Sequence, residues 1–431
     1  MSHQLDVTFE LITPAYAGSA EQADTDGLRP PTLKALLRFW WRTLHPELSS
    51  NELFERESQL FGSATTGQGL RVVPSGPIKE NEEVPAKYEP GEKIRKNNNL
   101  IPNATFPLFY MAYGTQGDNN TSPRKRTRAG STYSYRLISK SNCSTEEWHE
   151  IISALWLLTT FGGIGTRSRR GFGSLQVKEI KSIGTSPLGK WEGLPDITVC
   201  ANTSAVHNTL QLGLNALFPT KYTSEPEHTA FSSASKIVVG PSAATWEEAL
   251  IAAGKTYYQL RRLLGTSFRH TQNGEPVGED FRRIVSYRAT VPTAPRNPYT
   301  FGASFGLPHN YQFSDRWKPA LEVFTPEDIQ QRKDKGSARR ASPLMFRIIK
   351  LANRHYVPII LWLPSRFLPS DYQVRFVNGR RTSELQPRKV NIIAALFYPK
   401  TQLDGWVDNV KQPVRDFVGY PGQPGWQEVK W

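Results

Sequence analysis

The order of the patterned segments predicts an α+β protein, and three observations carry that prediction. Leu5, Val7, Phe9 and Leu11 alternate with Asp6, Thr8 and Glu10, the two-residue period of a strand with one buried face. Two runs repeat at helical spacing, 33–44 and 145–161, with strand-like runs between them at 70–73, 106–113 and 133–138. The second helical run passes through a glycine-rich loop into another strand-like run at 175–177. The sum is a βαββαβ order, that of a ferredoxin-like (RRM-like) unit with loop insertions. The remainder repeats the logic more weakly. We therefore expect two domains, 1–185 and 186–431, divided in the Gly- and Pro-rich stretch at 182–195.

Each element has its own signal. Pro30-Pro31-Thr32 leads into the first helix, with Thr32 as the expected N-cap. At 100° per residue, Leu33, Leu36, Leu37, Trp40 and Leu44 gather on one side, and Lys34, Arg38 and Arg42 on another with Trp41 beside them. Like charges at i, i+4 and i+8 destabilise a free helix, so the stripe points to an anion that offsets them; the alternative is a solvated face. Ser49 and Glu52 have capping-box spacing for a helix over 50–61 that Gly62 stops. The stretches 74–99 and 114–130 lack periodicity and read as loops. The second contains Arg124-Lys125-Arg126-Thr127-Arg128, either an RNA-contacting arm or a solvated loop. Ser144 and Glu147 form the clearest capping box, and Trp148, Ile151, Ile152, Leu155 and Leu158 set the helical face behind it.

In the second half, 197–201 and 236–239 read as strands, and Thr245 with Glu248 opens a helix to about residue 264. The stretch 282–315 is long and irregular, a pattern that is usually functional or disordered. A hairpin is expected over 342–363, with Arg339 and Arg340 just before it. The apolar pieces at 390–397 and 405–418 are typed only loosely, the latter as helical.

The glycine loop is Gly163-Ile164-Gly165-Thr166-Arg167-Ser168-Arg169-Arg170-Gly171-Phe172-Gly173. Paired glycines permit positive φ and close backbone approach, successive amides can form an anion-binding nest, and Arg167, Arg169 and Arg170 add forked donors for phosphate. Walker and dinucleotide loops run from strand to helix, whereas this one runs from helix to strand, so neither nucleotide motif applies. Taken alone, a helix C-cap at Gly162 followed by a solvated turn is the simpler reading of the loop, and the rest of the chain must decide.

Lys and Arg number 53 against 39 Asp and Glu, a formal charge of +14 that favours an anionic partner such as nucleic acid. No apolar run approaches a membrane span and no charged-then-apolar leader opens the chain, so neither insertion nor secretion is expected. Cys143 and Cys200 are the only cysteines, which rules out a disulfide framework or thiolate cage and fits a reducing cytoplasm. His3, His45, His149, His207, His228, His270, His309 and His355 show no metal-ligand spacing. We expect no metal, no cofactor and no catalytic residue. A base for cleavage at a 2′-OH would have to be His270 or His309, for each of which a surface histidine is the simpler reading.

Several of these residues resemble a known family. Thr13-Pro14, the run Leu28-Arg29-Pro30-Pro31-Thr32-Leu33-Lys34-Ala35-Leu36-Leu37-Arg38-Phe39-Trp40-Trp41-Arg42, and the Leu-Phe-Gly that closes 57–62 are similar to the RAMP proteins of the Cmr complex, the type III-B CRISPR effector, and within it to its first subunit. The glycine loop resembles the Gly-apolar-Gly-x5-Gly-apolar-Gly signature of RAMP proteins generally. Phe305-Gly306-Leu307-Pro308 and Arg340-Ala341-Ser342-Pro343-Leu344 resemble motifs of the second half. The resemblance implies two ferredoxin-like domains in tandem and a subunit that caps the target-binding end near the guide RNA 3′ end, beside other Cmr subunits. Slicing belongs to a different subunit of that family, so this one would bind without cutting. The RNA contacts expected are Arg29, Lys34, Arg38, Arg42, Gly163, Gly165, Arg167, Arg169, Arg170, Gly171, Gly173, Arg339 and Arg340. Ala35 departs from the family pattern, which has Gly after the Lys, and weakens the case for Lys34. The rivals are a metal-independent RAMP endoribonuclease that processes guide precursor, and a protein-docking module whose charge is incidental.

Overall fold

In the computed structural model the alternating N-terminal run forms β1 (Gln4–Leu11), along which buried and half-buried positions alternate. The structure describes residues 2–18, 27–79, 81–83, 94–96, 99–101, 106–115, 124–183, 191–263, 271–272, 275–276, 309–310, 320–333, 336–366, 368–369, 371–377, 384–385 and 426–431. Contact density divides the chain into two units, Met1–Lys255 with Met345–Ser365 and Gly425–Trp431, and Thr256–Leu344 with Arg366–Pro424.

In the first unit, β1 pairs antiparallel with β3 (Thr132–Ile138) on one side and β4 (Leu175–Ile183) on the other. β2 (Arg71–Pro74) pairs antiparallel with β3, so the sheet runs β4-β1-β3-β2. Helices α1 (Pro30–Arg42) and α4 (Thr145–Phe161) pack against each other and against this sheet. Trp40 meets Phe161 with ring centroids 6.2 Å apart. Two of the three predicted capping boxes form in full: Ser49 opens α2 (Ser50–Phe61), and Ser144 opens α4, accepting from the Glu147 amide at 3.1 Å. Each satisfies amides that a helix start leaves without an internal partner.

A second sheet lies in the same unit. It runs β7 (Leu344–Lys350), β8 (Tyr356–Trp362), β5 (Lys236–Val239), β10 (Gln427–Glu428), with β5 antiparallel to both of its neighbours. β7 and β8 are buried almost throughout, which explains why their sequences read as continuous apolar runs. The side chain of Gln176 in β4 acts as a rung between the sheets, donating to the Lys350 carbonyl at 2.9 Å and accepting from its amide at 3.0 Å. The second unit holds β6 (Ala320–Phe324) paired antiparallel with β9 (Gln373–Val377), with His309–Asn310 beside β6 and Glu384–Leu385 beside β9. In it Thr325 caps α7 (Pro326–Gln330).

The structure corrects four local expectations. Helix α1 starts at Pro30 with Arg29 as N-cap, not Thr32, because proline fits a first turn whose amides have no helical acceptor. Trp41 lies not beside the basic stripe but in the core, 1 % exposed, with its indole N–H on Glu150 at 2.6 Å. The run at 106–113 is helical over α3 (Phe106–Met111), not a strand; its aromatic content mimics β propensity while Pro107 suits a first turn. The run at 197–201 is a 3₁₀ turn, Ile197–Val199, because the Asp196 carboxylate accepts the Thr198 amide at 2.9 Å. The turn leads into α5 (Thr203–Leu217), capped by Asn202 and absent from the sequence reading. Helix α6 (Trp246–Leu263) forms as expected. The stretches 390–397 and 405–418, and most of 282–315, lie outside the described residues. Among the described residues no helix is long and apolar enough to cross a membrane.

Candidate nucleic-acid interface

The glycine loop leaves the end of α4 and immediately closes on itself, with the Ile164 amide on the Gly173 carbonyl at 2.9 Å. It is then sewn to the chain that continues β1: the Gly173 amide bonds the Pro14 carbonyl and the Thr166 amide the Tyr16 carbonyl, both at 2.8 Å. Thr13 Oγ1 donates to the Gly171 carbonyl at 2.7 Å. On its other side the Arg169 carbonyl accepts the Phe346 amide of β7 at 3.1 Å. The loop is thus a junction between the two sheets.

This geometry gives the glycines a reason internal to the fold. Gly165 has φ +78°, and a Cβ there would lie 2.5 Å from the Tyr16 carbonyl oxygen. A Cβ on Gly163 would lie 2.8 Å from the Gly173 oxygen, and Gly171 and Gly173 also have positive φ. Close approach is required, and the chain that approaches is the protein's own.

The loop arginines reach neighbouring helices. Arg170 Nη1 donates to the Tyr110 carbonyl at 3.0 Å, at the end of α3. The Arg167 guanidinium lies over Gly114, where a Cβ would stand 2.6 Å from it. Arg169 sits over the Phe39 ring of α1 at 5.4 Å, and burial pushes its guanidinium below the usual arginine range.

Beside the first glycine bracket opens a cleft of about 300 Å³ lined by Tyr16, Ala17, Gly18, Gly27, Arg29, Thr32, Arg124, Lys125, Gly165 and Thr166. Three of these carry positive charge, none negative, and the N-terminus of α1, the positive end of its dipole, opens on the same space. The cleft therefore joins Arg29 and Gly165 of the expected set with Arg124 and Lys125, which the sequence offered only as part of a cationic run. Arg126 and Arg128 of that run turn aside to Glu83, at 2.6 and 3.0 Å. Nothing in the sequence of an aperiodic loop says which of five neighbouring residues faces which way.

The basic stripe on α1 finds its anion inside the protein. Arg38 and Arg42 bracket the two oxygens of Glu57 on α2, at 3.3 and 3.0 Å, and Arg38 also donates to the Gly62 carbonyl. Glu57, 10 % exposed, supplies the offset that the charge spacing demanded. Lys34 lines a separate open groove of about 380 Å³ with Pro30, Pro31 and Arg71, where burial, with help from Arg38, pushes its ammonium down. Arg339, exposed, and Arg340, half-buried, belong to the second unit.

Several of the described histidines make contacts within the fold. His45 bridges Glu47 and Glu150, His228 faces the Arg42 carbonyl at 3.0 Å, and His207 faces the Glu428 carbonyl at 2.9 Å. Burial pushes the His228 imidazole below its ordinary value. His309 lies in a two-residue strand against β6, and His270 lies outside the described residues. Among the described residues, no group of three or more His, Cys, Asp or Glu is placed to hold a metal ion.

Residues 8–176, which hold β2, β3, the second half of β1, the first two residues of β4, helices α1 and α4 and the whole glycine loop, match the family model of the RAMP superfamily. The CRISPR system Cmr subunit Cmr1-1 of Pyrococcus furiosus is 23 % identical over 373 residues, covering 84 % of this chain and 87 % of that protein. Similar solved structures include Cmr1 from Pyrococcus furiosus in its apo form, with 18 % identity, a TM-score of 0.47 and coverage of 85 % of this chain and 89 % of that one. A chain of the Type III-B Cmr-beta complex bound to cognate target RNA is 11 % identical, with a TM-score of 0.47 and coverage of 89 % and 97 %. The family match and the curated relative support the resemblance to a Cmr RAMP subunit that the sequence motifs carry.

Proposed function

We propose that this chain is an RNA-binding structural subunit of a type III-B CRISPR effector in the cytoplasm, capping the target-binding end near the guide RNA 3′ end and helping to capture target RNA beside other Cmr subunits. The observation that carries the reading is the cleft, where Arg29, Arg124 and Lys125 line the same space as Gly165 and Thr166, with no carboxylate among the described residues of its lining. Such a surface suits a phosphate backbone: cations fix position without reading sequence. Of the residues expected to touch RNA, Arg29 and Gly165 line this cleft, and we assign the first contacts there. Arg38 and Arg42, engaged with Glu57, take a secondary place.

We further propose that the chain is a tandem of ferredoxin-like domains, 1–185 and 186–431. The two sheets support this, since β4-β1-β3-β2 and β10-β5-β8-β7 both follow the strand order fourth, first, third, second. In this reading the boundary separates two four-stranded sheets of the same strand order; the contact-dense units separate something else, because both sheets fall in one of them.

Replacing Arg29, Arg124 and Lys125 together with Ala tests the cleft. Each lost phosphate contact should flatten the salt dependence of single-stranded RNA binding by about 0.7 in log–log slope. An unchanged slope removes the cleft from the interface. The alternative, a metal-independent endoribonuclease acting on guide precursor, predicts cleavage in EDTA with a 2′,3′-cyclic phosphate product.

A further inference from the structure

Phe106, Phe109, Tyr110 and Tyr113 follow one another at helical spacing, so α3 and the turn after it set them along one face. Their rings form a ladder, with centroids 6.3 Å apart for Phe106 and Phe109, 6.1 Å for Phe106 and Tyr110, and 6.2 Å for Phe109 and Tyr113. The other face is anchored: Pro107, Leu108 and Met111 are buried, and Gly254 of α6 leaves room for Pro107 and Met111 where a Cβ would crowd both. Tyr110 is buried as well. Phe106 and Phe109 are half-buried, and Tyr113, at the end of the ladder, is 47 % exposed.

Cations surround this ladder. Arg170 holds the Tyr110 carbonyl, and Arg167 lies over Gly114, the residue after Tyr113. One residue further, the Thr115 carbonyl accepts the Arg124 amide at 3.0 Å, which fastens the end of the ladder to the Arg124-Lys125 wall of the cleft. Phe54, by contrast, is 68 % exposed yet belongs to no ring ladder among the described residues. Exposure alone does not make a site; exposure of an ordered aromatic ladder that leads into a cationic cleft is a different arrangement.

We propose that Tyr113, supported edge-on by Phe109 at an interplanar angle of 80°, is a stacking platform for an unpaired nucleobase of the strand whose phosphates occupy the cleft. The inference rests on the RNA-binding reading and narrows it to single-stranded RNA. Aromatic faces beside a cationic track take successive bases whatever their identity, and a duplex offers no free base face to them.

The test uses the full-length chain with three probes of equal length: an oligouridylate, an abasic ribose-phosphate strand and an RNA duplex. The unmodified protein should prefer the oligouridylate to the abasic strand. Tyr113→Ala, at a surface position whose melting temperature serves as the folding check, should weaken oligouridylate binding roughly tenfold. Tyr113→Phe should keep it. The salt slope should not change, because no phosphate contact is lost, and the preference for bases over abasic strand should shrink in the Ala variant only. Wild-type affinity and an undiminished base preference in Tyr113→Ala would overturn the platform while leaving the cleft in place. Preference for the duplex over the oligouridylate would overturn the platform too. Failure of the unmodified chain to bind any of the three would overturn the RNA reading and the platform with it.

Discussion

At the residue scale, Arg38 and Arg42 show how a charge pattern acquires its meaning from a partner distant in sequence. Removing both leaves the Glu57 carboxylate nearly buried and unpaired, so Arg38→Ala with Arg42→Ala should cost about 1–3 kcal/mol of stability. Adding Glu57→Gln should recover part of the loss, measured by denaturant unfolding. Arg347 is a stronger case. It is 1 % exposed and donates to the carbonyls of Thr159 at 2.9 Å, Thr160 at 3.3 Å and Leu175, tying β7 to the C-terminal end of α4, where the helix dipole favours a cation. Burial pushes its guanidinium down to about 9, and Arg347→Met, which strips donors from all three carbonyls, should destabilise by about 3 kcal/mol or more. In the second unit the Asp328 carboxylate accepts from the Ser337 amide and hydroxyl, the Thr325 amide and Lys333. The Ser337 bonds first, then Lys333 and the Thr325 amide, hold it far below the usual carboxylate range. A depressed folded value means that its stabilisation is complete above the ordinary aspartate range, about 4, and is lost as pH falls below it. Melting curves of Asp328→Asn and the unmodified chain should therefore converge on acidification; curves that stay parallel would show that the network does not depend on the charge.

At the element scale, the glycine loop and the helix starts make separable predictions. Gly67 and Gly165 have nearly the same φ, +76° and +78°, but a Cβ on Gly67 meets nothing within 4 Å whereas one on Gly165 meets the Tyr16 carbonyl. Gly67→Ala should cost only the left-handed strain, about 1–2 kcal/mol. Gly165→Ala should cost clearly more, and Gly165→Val should disturb the Tyr16–Thr166 bridge whether or not RNA is present. Equal costs at the two positions would show that the loop yields easily and that its glycines serve something other than the junction. Ser144→Ala removes the hydroxyl that caps α4 and should cost about 1 kcal/mol.

For the whole molecule, the reading predicts binding without cutting. Isolated protein should shift single-stranded RNA on a gel and leave it intact, with or without Mg²⁺. Single-site cleavage that disappears in His270→Ala or His309→Ala would instead promote the endoribonuclease. Cleavage needs a positioned base as well as cations; of the described histidines, His45 is engaged by Glu47 and Glu150, and His3 stacks on Trp148 at 5.3 Å.

The sequence alone determined what is local and periodic. The alternation of β1, the capping boxes of α2 and α4, the extent of α6 and the β7–β8 hairpin were legible because the deciding interactions lie within a few residues along the chain. The motifs of 28–42 and the glycine loop also carried the family resemblance. Tertiary structure decided whatever depends on a partner far away in the chain. Aromatic residues at 106–113 satisfy strand propensity and a helix alike, and packing Pro107 and Met111 against Gly254 selects the helix. The glycine loop resembles a phosphate cradle by composition, yet it is bonded to Thr13, Pro14, Tyr16 and Phe346, distant residues that no window around 163–173 contains. Lys34, Arg38 and Arg42 form one stripe in sequence, but Glu57 claims two of them and a separate groove takes the third. The cleft is assembled from four separated segments, and only the folded chain brings Arg29, Arg124 and Lys125 to one surface, because like charges gather there at the cost of mutual repulsion that local sequence preference never favours.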